Sequence, residues 1–261
     1  MTKYTCSWDI TMTLIALFLA FFANVVLAGN VETNIHAIAL EHRLNESNSK
    51  HYNQLLDELR NEGLAFNLII KPLRRAQVGF KTDPEGCTFP ATINAIYTND
   101  IDFKSIPLIS SVPIDRISLQ IFTAAKKQPI TSYEQLSGKR VAILNGVNPS
   151  VFLKDIEIQN IETIPNEEIL IKMLNANRVD FAIGFSPDIL LAAEAINQPN
   201  PVFNNKLSLF RNEGASLVCK DTELNRKLVT SFNKIINKLK KSDQLRKILG
   251  KHADIVPIQD S

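Results

Sequence analysis

The 261-residue sequence predicts an α/β fold, and three observations predict it. Between Thr131 and Gly184 a polar helix start, an apolar strand, a Gly-bearing turn, a helix, a strand, an amphipathic helix and a second apolar strand follow one another. Strands that alternate with helices in this way build parallel layers. Residues 114–122 form a long extended segment, the kind of chain that links two lobes. Residues 215–219 read as a late apolar strand.

Taken in order, residues 35–40 (IHAIAL) read as a first strand, and the polar stretch 45–50 starts a helix running to Gly63. In that helix Tyr52, Leu55, Leu56 and Leu59 recur at helical spacing. Gly63 stands where a helix C-cap belongs. Residues 64–71 read as a second strand ended by Pro72, residues 73–76 open a short helix, and residues 87–93 form a third strand. Residues 97–106 read as an irregular loop, and TSYEQLSGK as a helix. The strands at 141–144 and 179–183 flank a turn in which Asn148 is a sound N-cap followed by Pro149. A strongly apolar helix is expected over 189–196, begun by Pro187 and Asp188. Near the C-terminus Leu228, Phe232, Ile235, Ile236 and Leu239 form one apolar stripe, so the lysines beside it read as a solvated face.

The N-terminus reads as an export signal. Residues 10–28 are almost wholly apolar, follow Lys3 and end in Val26-Leu27-Ala28, with neutral or small residues where a signal peptidase cuts. An uncleaved membrane anchor is the rival reading, and Met1 and Met12 are both possible starts. Asn30 stands after Gly29, so no lipidated cysteine is expected there. The net charge of +2 makes no case for a nucleic-acid partner. Cys6 lies within the signal region, which leaves Cys87 and Cys219 to form a disulfide or to stand as two buried thiols. No spacing resembles a zinc site, His36, His42, His51 and His252 are scattered, and no cofactor or metal is expected.

The run Ser132-x-Glu134-x-Leu136-x-Gly138-Lys139-x-Val141-Ala142, then Asn177-x-Val179-Asp180 before a small apolar run, resembles the family 3 periplasmic solute-binding proteins. Asp221-x-Glu223-Leu224 and the closing helix fit the same resemblance, as do Pro72, Arg75 and Ala76. The resemblance implies a two-lobed α/β protein of the type 2 periplasmic binding fold. In it residues 1–28 are a signal peptide, 29–117 with 214–261 the first lobe, and 118–213 the second. It also implies a periplasmic monomer without catalytic chemistry, which captures a small polar ligand between the lobes for the membrane permease of an ABC importer. A sensory clamshell is the alternative, and a dehydratase-like enzyme on the same fold a more distant one, with Asp188 and Glu194 as available acids.

Placed on this chain, the resemblance assigns ligand contacts to Arg75, Lys104, Ser110, Ser111, Gly146, Val147, Asn148, Phe185 and Ser186. The backbone N–H groups of Gly146, Val147 and Asn148 would suit an anion at a helix start. Arg75 reads equally as a solvated arginine beside Arg74, and Asn148 equally as a simple cap. Two family anchors are altered. Lys104 stands in a stretch without the arginine that would grip an α-carboxylate, and Phe185 replaces the aspartate that would receive an α-ammonium. Three readings stay open: a different small ligand, anionic or aromatic; an amino acid held by substituted contacts; or a receptor-like protein that no longer transports.

Overall fold

The structure, a computed structural model, describes residues 32–47, 50–99, 101–145, 147, 153, 156, 158, 160–211 and 214–258. The expected signal peptide lies outside them, as do Gly146 and Asn148.

The first lobe is built on a five-stranded sheet in the order β2-β1-β3-β12-β4. Its strands are β1 (Asn34–Ile38), β2 (Asn67–Lys71), β3 (Cys87–Ala91), β4 (Leu108–Ser110) and β12 (Ser216–Lys220). β1 runs parallel to both β2 and β3, while β12 inserts antiparallel between β3 and β4. Helices α1 (Tyr52–Asn61), α2 (Leu73–Thr82), α3 (Ile93–Asn99), α6 (Glu223–Lys241) and α7 (Gln244–Leu249) accompany it. Tyr52, Leu55, Leu56 and Leu59 pack with Phe232, Ile236 and Leu245 in one core, which is what their helical spacing predicts. Gly63 has φ of 89°, and its N–H bonds the Arg60 carbonyl at 2.9 Å, the C-terminal role expected of it.

The second lobe is built on a sheet in the order β10-β6-β9-β7-β8, with β11 also on β6. These strands are β6 (Ser118–Thr123), β7 (Arg140–Leu144), β8 (Asn160–Ile164), β9 (Phe181–Ser186), β10 (Val202–Phe203) and β11 (Phe210–Arg211). β7 is parallel to β8 and β9, and β6 antiparallel to β9. Along β7, Val141 and Ile143 join one apolar cluster while Ala142 and Leu144 join another on the opposite face. A strand covered on both sides is why this segment is continuously apolar rather than alternating. Helices α4 (Glu167–Asn175) and α5 (Asp188–Ala195) cover one face; Asn166 caps α4 by accepting from the Ile169 N–H.

Two chain passages join the lobes. β5 (Asp115–Arg116) leads from β4 into β6, and the stretch before β12 leads back; β13 (Asp254–Ile255) pairs with β5 beneath them. The chain from Thr33 onward forms one compact unit.

Three elements differ from expectation. Residues 97–99 and 101–105 are not irregular: the first complete α3 and the second form the 3₁₀ turn Ile101–Ser105. TSYEQLSGK makes only the 3₁₀ turn Tyr133–Leu136, held by the Gln135 side chain accepting from the Thr131 and Ser132 N–H groups at 2.6 and 3.2 Å. The first helix begins at Tyr52, because the chain after β1 closes a tight turn with Leu40 and Leu44 bridged. That turn, which local periodicity does not encode, aims Arg43 inward.

Candidate functional site

A cleft of about 220 Å³ lies between the two lobes. From the first lobe come Ile38 and Leu40 after β1, Pro90 and Ala91 at the end of β3, and Thr92 and Ala95 at α3. Phe185 on β9 and Phe210 on β11 close it from the second lobe, with Ile117 and Ala215 from the connecting passages. The lining is hydrocarbon and aromatic ring almost throughout. Thr92 is the exception: its hydroxyl accepts from the Ala95 N–H at 3.1 Å, capping α3, and retains its own proton to donate.

Two charged residues reach the cleft, Arg43 and Asp188, and they are committed to each other. Arg43 Nε and Nη2 donate to the two Asp188 carboxylate oxygens at 2.8 and 3.0 Å, a bidentate fork that joins the first lobe to the start of α5 in the second. Arg43 Nη1 donates to the Tyr52 hydroxyl at 3.0 Å and lies 3.5 Å from Asp115, whose other oxygen accepts from Tyr52. All four residues are buried. Burial by itself would lower the Arg43 pKa, but the carboxylates of Asp188 and Asp115, with the Tyr52 hydroxyl oxygen, reverse this and raise it. Burial pushes the Asp115 carboxyl up to about 6, against the opposing pull of Arg43 and the Tyr52 hydrogen bond. The guanidinium thus stays charged with four of its five N–H groups engaged, and no donor pair is left for a ligand carboxylate.

The residues proposed from sequence are dispersed. Phe185 lines the cleft while also packing on the second-lobe core. Ser186, its half-buried neighbour, pairs with Ser118 across β9 and β6. Val147 packs against the second-lobe clusters, and its N–H closes a turn onto the Leu144 carbonyl at 3.1 Å rather than pointing to a ligand. Ser111 is buried, and its hydroxyl fastens the Leu217 N–H at 3.0 Å. Ser110 pairs with Val218 in the sheet, Arg75 is exposed on α2, and Lys104 is exposed on the 3₁₀ turn after α3. Of these described residues only Phe185 is part of the cleft lining. Cys87 and Cys219 are joined in a disulfide at directly paired positions of β3 and β12.

Sequence reading missed Arg43 entirely, because an arginine just after a strand looks like any solvated base. Asp188 stands in the sequence as an acid at a helix start, a place where carboxylates are favoured without any partner. The available signal was weak: a tyrosine at an apolar helix position, Tyr52, whose hydroxyl needs a buried partner.

No protein-family model matches the sequence, and no curated protein matches it. Solved structures do match in fold. Substrate-binding domain 2 of GlnP from Lactococcus lactis, in an open conformation, is 14% identical with a TM-score of 0.58, covering 86% of this chain and 96% of its own. The GluR0 ligand-binding core from Nostoc punctiforme in complex with L-glutamate is 16% identical with a TM-score of 0.58, covering 83% and 96%. A histidine kinase sensor domain with similarity to periplasmic binding proteins is 14% identical with a TM-score of 0.57, covering 87% and 98%. The chain therefore has the two-lobed type 2 periplasmic binding protein fold.

Proposed function

We propose that this protein is a periplasmic receptor that encloses a small, largely apolar molecule between its lobes, without covalent chemistry, and presents it to the membrane permease of an ABC importer. The composition of the cleft carries this reading. Rings at Phe185 and Phe210 face aliphatic groups of Ile38, Leu40 and Ile117, and one hydroxyl, on Thr92, is placed to orient the guest. A zwitterionic amino acid would have to shed water from both charges here and find neither repaid: Phe185 offers no counter-charge, and Arg43 is already chelated by Asp188. A ring bearing one hydrogen-bond acceptor matches both the walls and the single donor. Asp188, the acid an enzyme on this fold would recruit, is held by Arg43, and Glu194 by Lys251 at 2.6 Å and His252 at 2.9 Å.

The test is a thermal-shift screen of small aromatic and alicyclic compounds carrying one carbonyl or ether oxygen, with free amino acids alongside. A ligand at 100 times its dissociation constant adds ~2.7 kcal/mol of stability. Ala95→Trp, which fills the cleft, should remove the shift of any aromatic hit. Clear shifts from amino acids, or hits indifferent to Ala95→Trp, overturn the reading.

A sensory role is the second reading, favoured by one observation. The Arg43–Asp188 fork spans the two lobes, so a partner able to read their relative position has a defined contact to read. Permease and ATPase genes beside this one select import; a sensor kinase or cyclase gene selects sensing.

A further inference from the structure

We propose that Glu41, His42 and Glu167 form a site for a divalent cation of the zinc class that clasps the two lobes together. Three ligand atoms, one from each residue, lie within 4.8 Å of one another. Glu41 and His42 belong to the turn after β1 in the first lobe, whereas Glu167 opens α4 in the second. The cluster is assembled only by folding, which is why the histidines look scattered in the sequence.

The chemistry is right for the ion. Imidazole with two carboxylates is a common donor set for zinc, which takes such ligands at about 2.0–2.2 Å and leaves a fourth position for water. In a tetrahedral site the ligand atoms stand about 3.3 Å apart. Two flexible glutamate side chains can make up the remaining distance without backbone movement.

The arrangement also differs from ordinary helix-start acidity. Glu168, the next residue of α4, has its lysine at i+4, Lys172, at 3.7 Å. Glu167 instead faces the Glu41 charge and His42. Two carboxylates brought close from different lobes repel one another, and a dication between them converts the repulsion into attraction.

Isothermal titration of zinc sulfate into the EDTA-stripped protein should show one ion per chain with a micromolar or tighter dissociation constant. His42→Ala and Glu167→Gln should each weaken it by roughly tenfold or more. Because the ligands span both lobes, zinc should also raise the Tm of the wild-type protein and not that of Glu167→Gln. If His42→Ala fails to fold, Glu41→Gln, at an exposed position, carries the same expectation. His252→Ala removes another histidine–carboxylate pair, with Glu194, and should leave the titration unchanged. No binding, wild-type binding in the Glu41, His42 and Glu167 variants, or loss of binding in His252→Ala overturns the proposal.

Discussion

Arg43, on the turn after the first strand, grips both carboxylate oxygens of Asp188, 145 residues further along the chain and in the other lobe. Both are buried, so the pair stands where water screens least. Removing one partner leaves an uncompensated charge in a desolvated place. Asp188→Leu or Arg43→Met alone should therefore cost about 3–5 kcal/mol. The double variant Arg43→Met/Asp188→Leu should cost clearly less than the sum of the singles. Urea unfolding of the four proteins measures this; strict additivity would show that the two side chains are not coupled.

Asp115 sets a pH dependence of a definite sign. Its carboxyl is raised from 3.8 to about 6, chiefly by burial. An acid with a higher pKa folded than unfolded binds more protons in the native state between the two values. Its contribution to stability is full below 3.8 and is lost as pH rises through about 6. Over that interval the wild-type urea midpoint should fall relative to that of Asp115→Asn, which cannot ionise and keeps a carbonyl for Tyr52. Parallel profiles for the two proteins would contradict this.

The Cys87–Cys219 disulfide joins β3 to β12 across 132 residues of chain. Closing so long a loop restricts the unfolded ensemble, and its removal should cost about 2–5 kcal/mol. The double variant Cys87→Ala/Cys219→Ala and the reduced wild-type protein should show similar losses in denaturant midpoint. A reductant-insensitive wild type would count against the bridge.

Gly79→Ala should destabilise, although alanine is the better helix former by roughly 0.5–1 kcal/mol. A Cβ at Gly79 of α2 would stand 2.4 Å from His36 Nδ1 on β1, and that imidazole is held by Asp83 at 3.0 Å. Overpacking of this kind costs about 1–3 kcal/mol, so the clash outweighs the propensity. A rise in Tm would show that the His36 ring yields freely.

The sequence by itself determined the alternation of strands and helices, the apolar stripe that docks α6, the C-terminal turn at Gly63 and the two-lobed class. Each of these is a local property: periodicity, capping chemistry or a glycine at positive φ can be read within a few residues. The class was further marked by the residues between Ser132 and Asp180. Phe185 was assigned to the cleft only through the family resemblance, and in the structure it stands on β9 among the residues that line the cavity. The tight turn at Leu40–Leu44 and the helix completed within residues 97–106 were not, since tertiary contacts overrode weak local signals there.

Only the tertiary structure decided what the site is made of. Arg43, Tyr52, Asp115 and Asp188 become one buried network, and Glu41, His42 and Glu167 one cluster, through contacts between segments up to 145 residues apart. A charge's meaning depends on its burial and on its partner, and neither is set by its neighbours in the chain. The same arginine that would be a solvated base in an open loop becomes, once water is excluded, the clasp that occupies the one cation of the cleft lining and leaves an apolar space beside it.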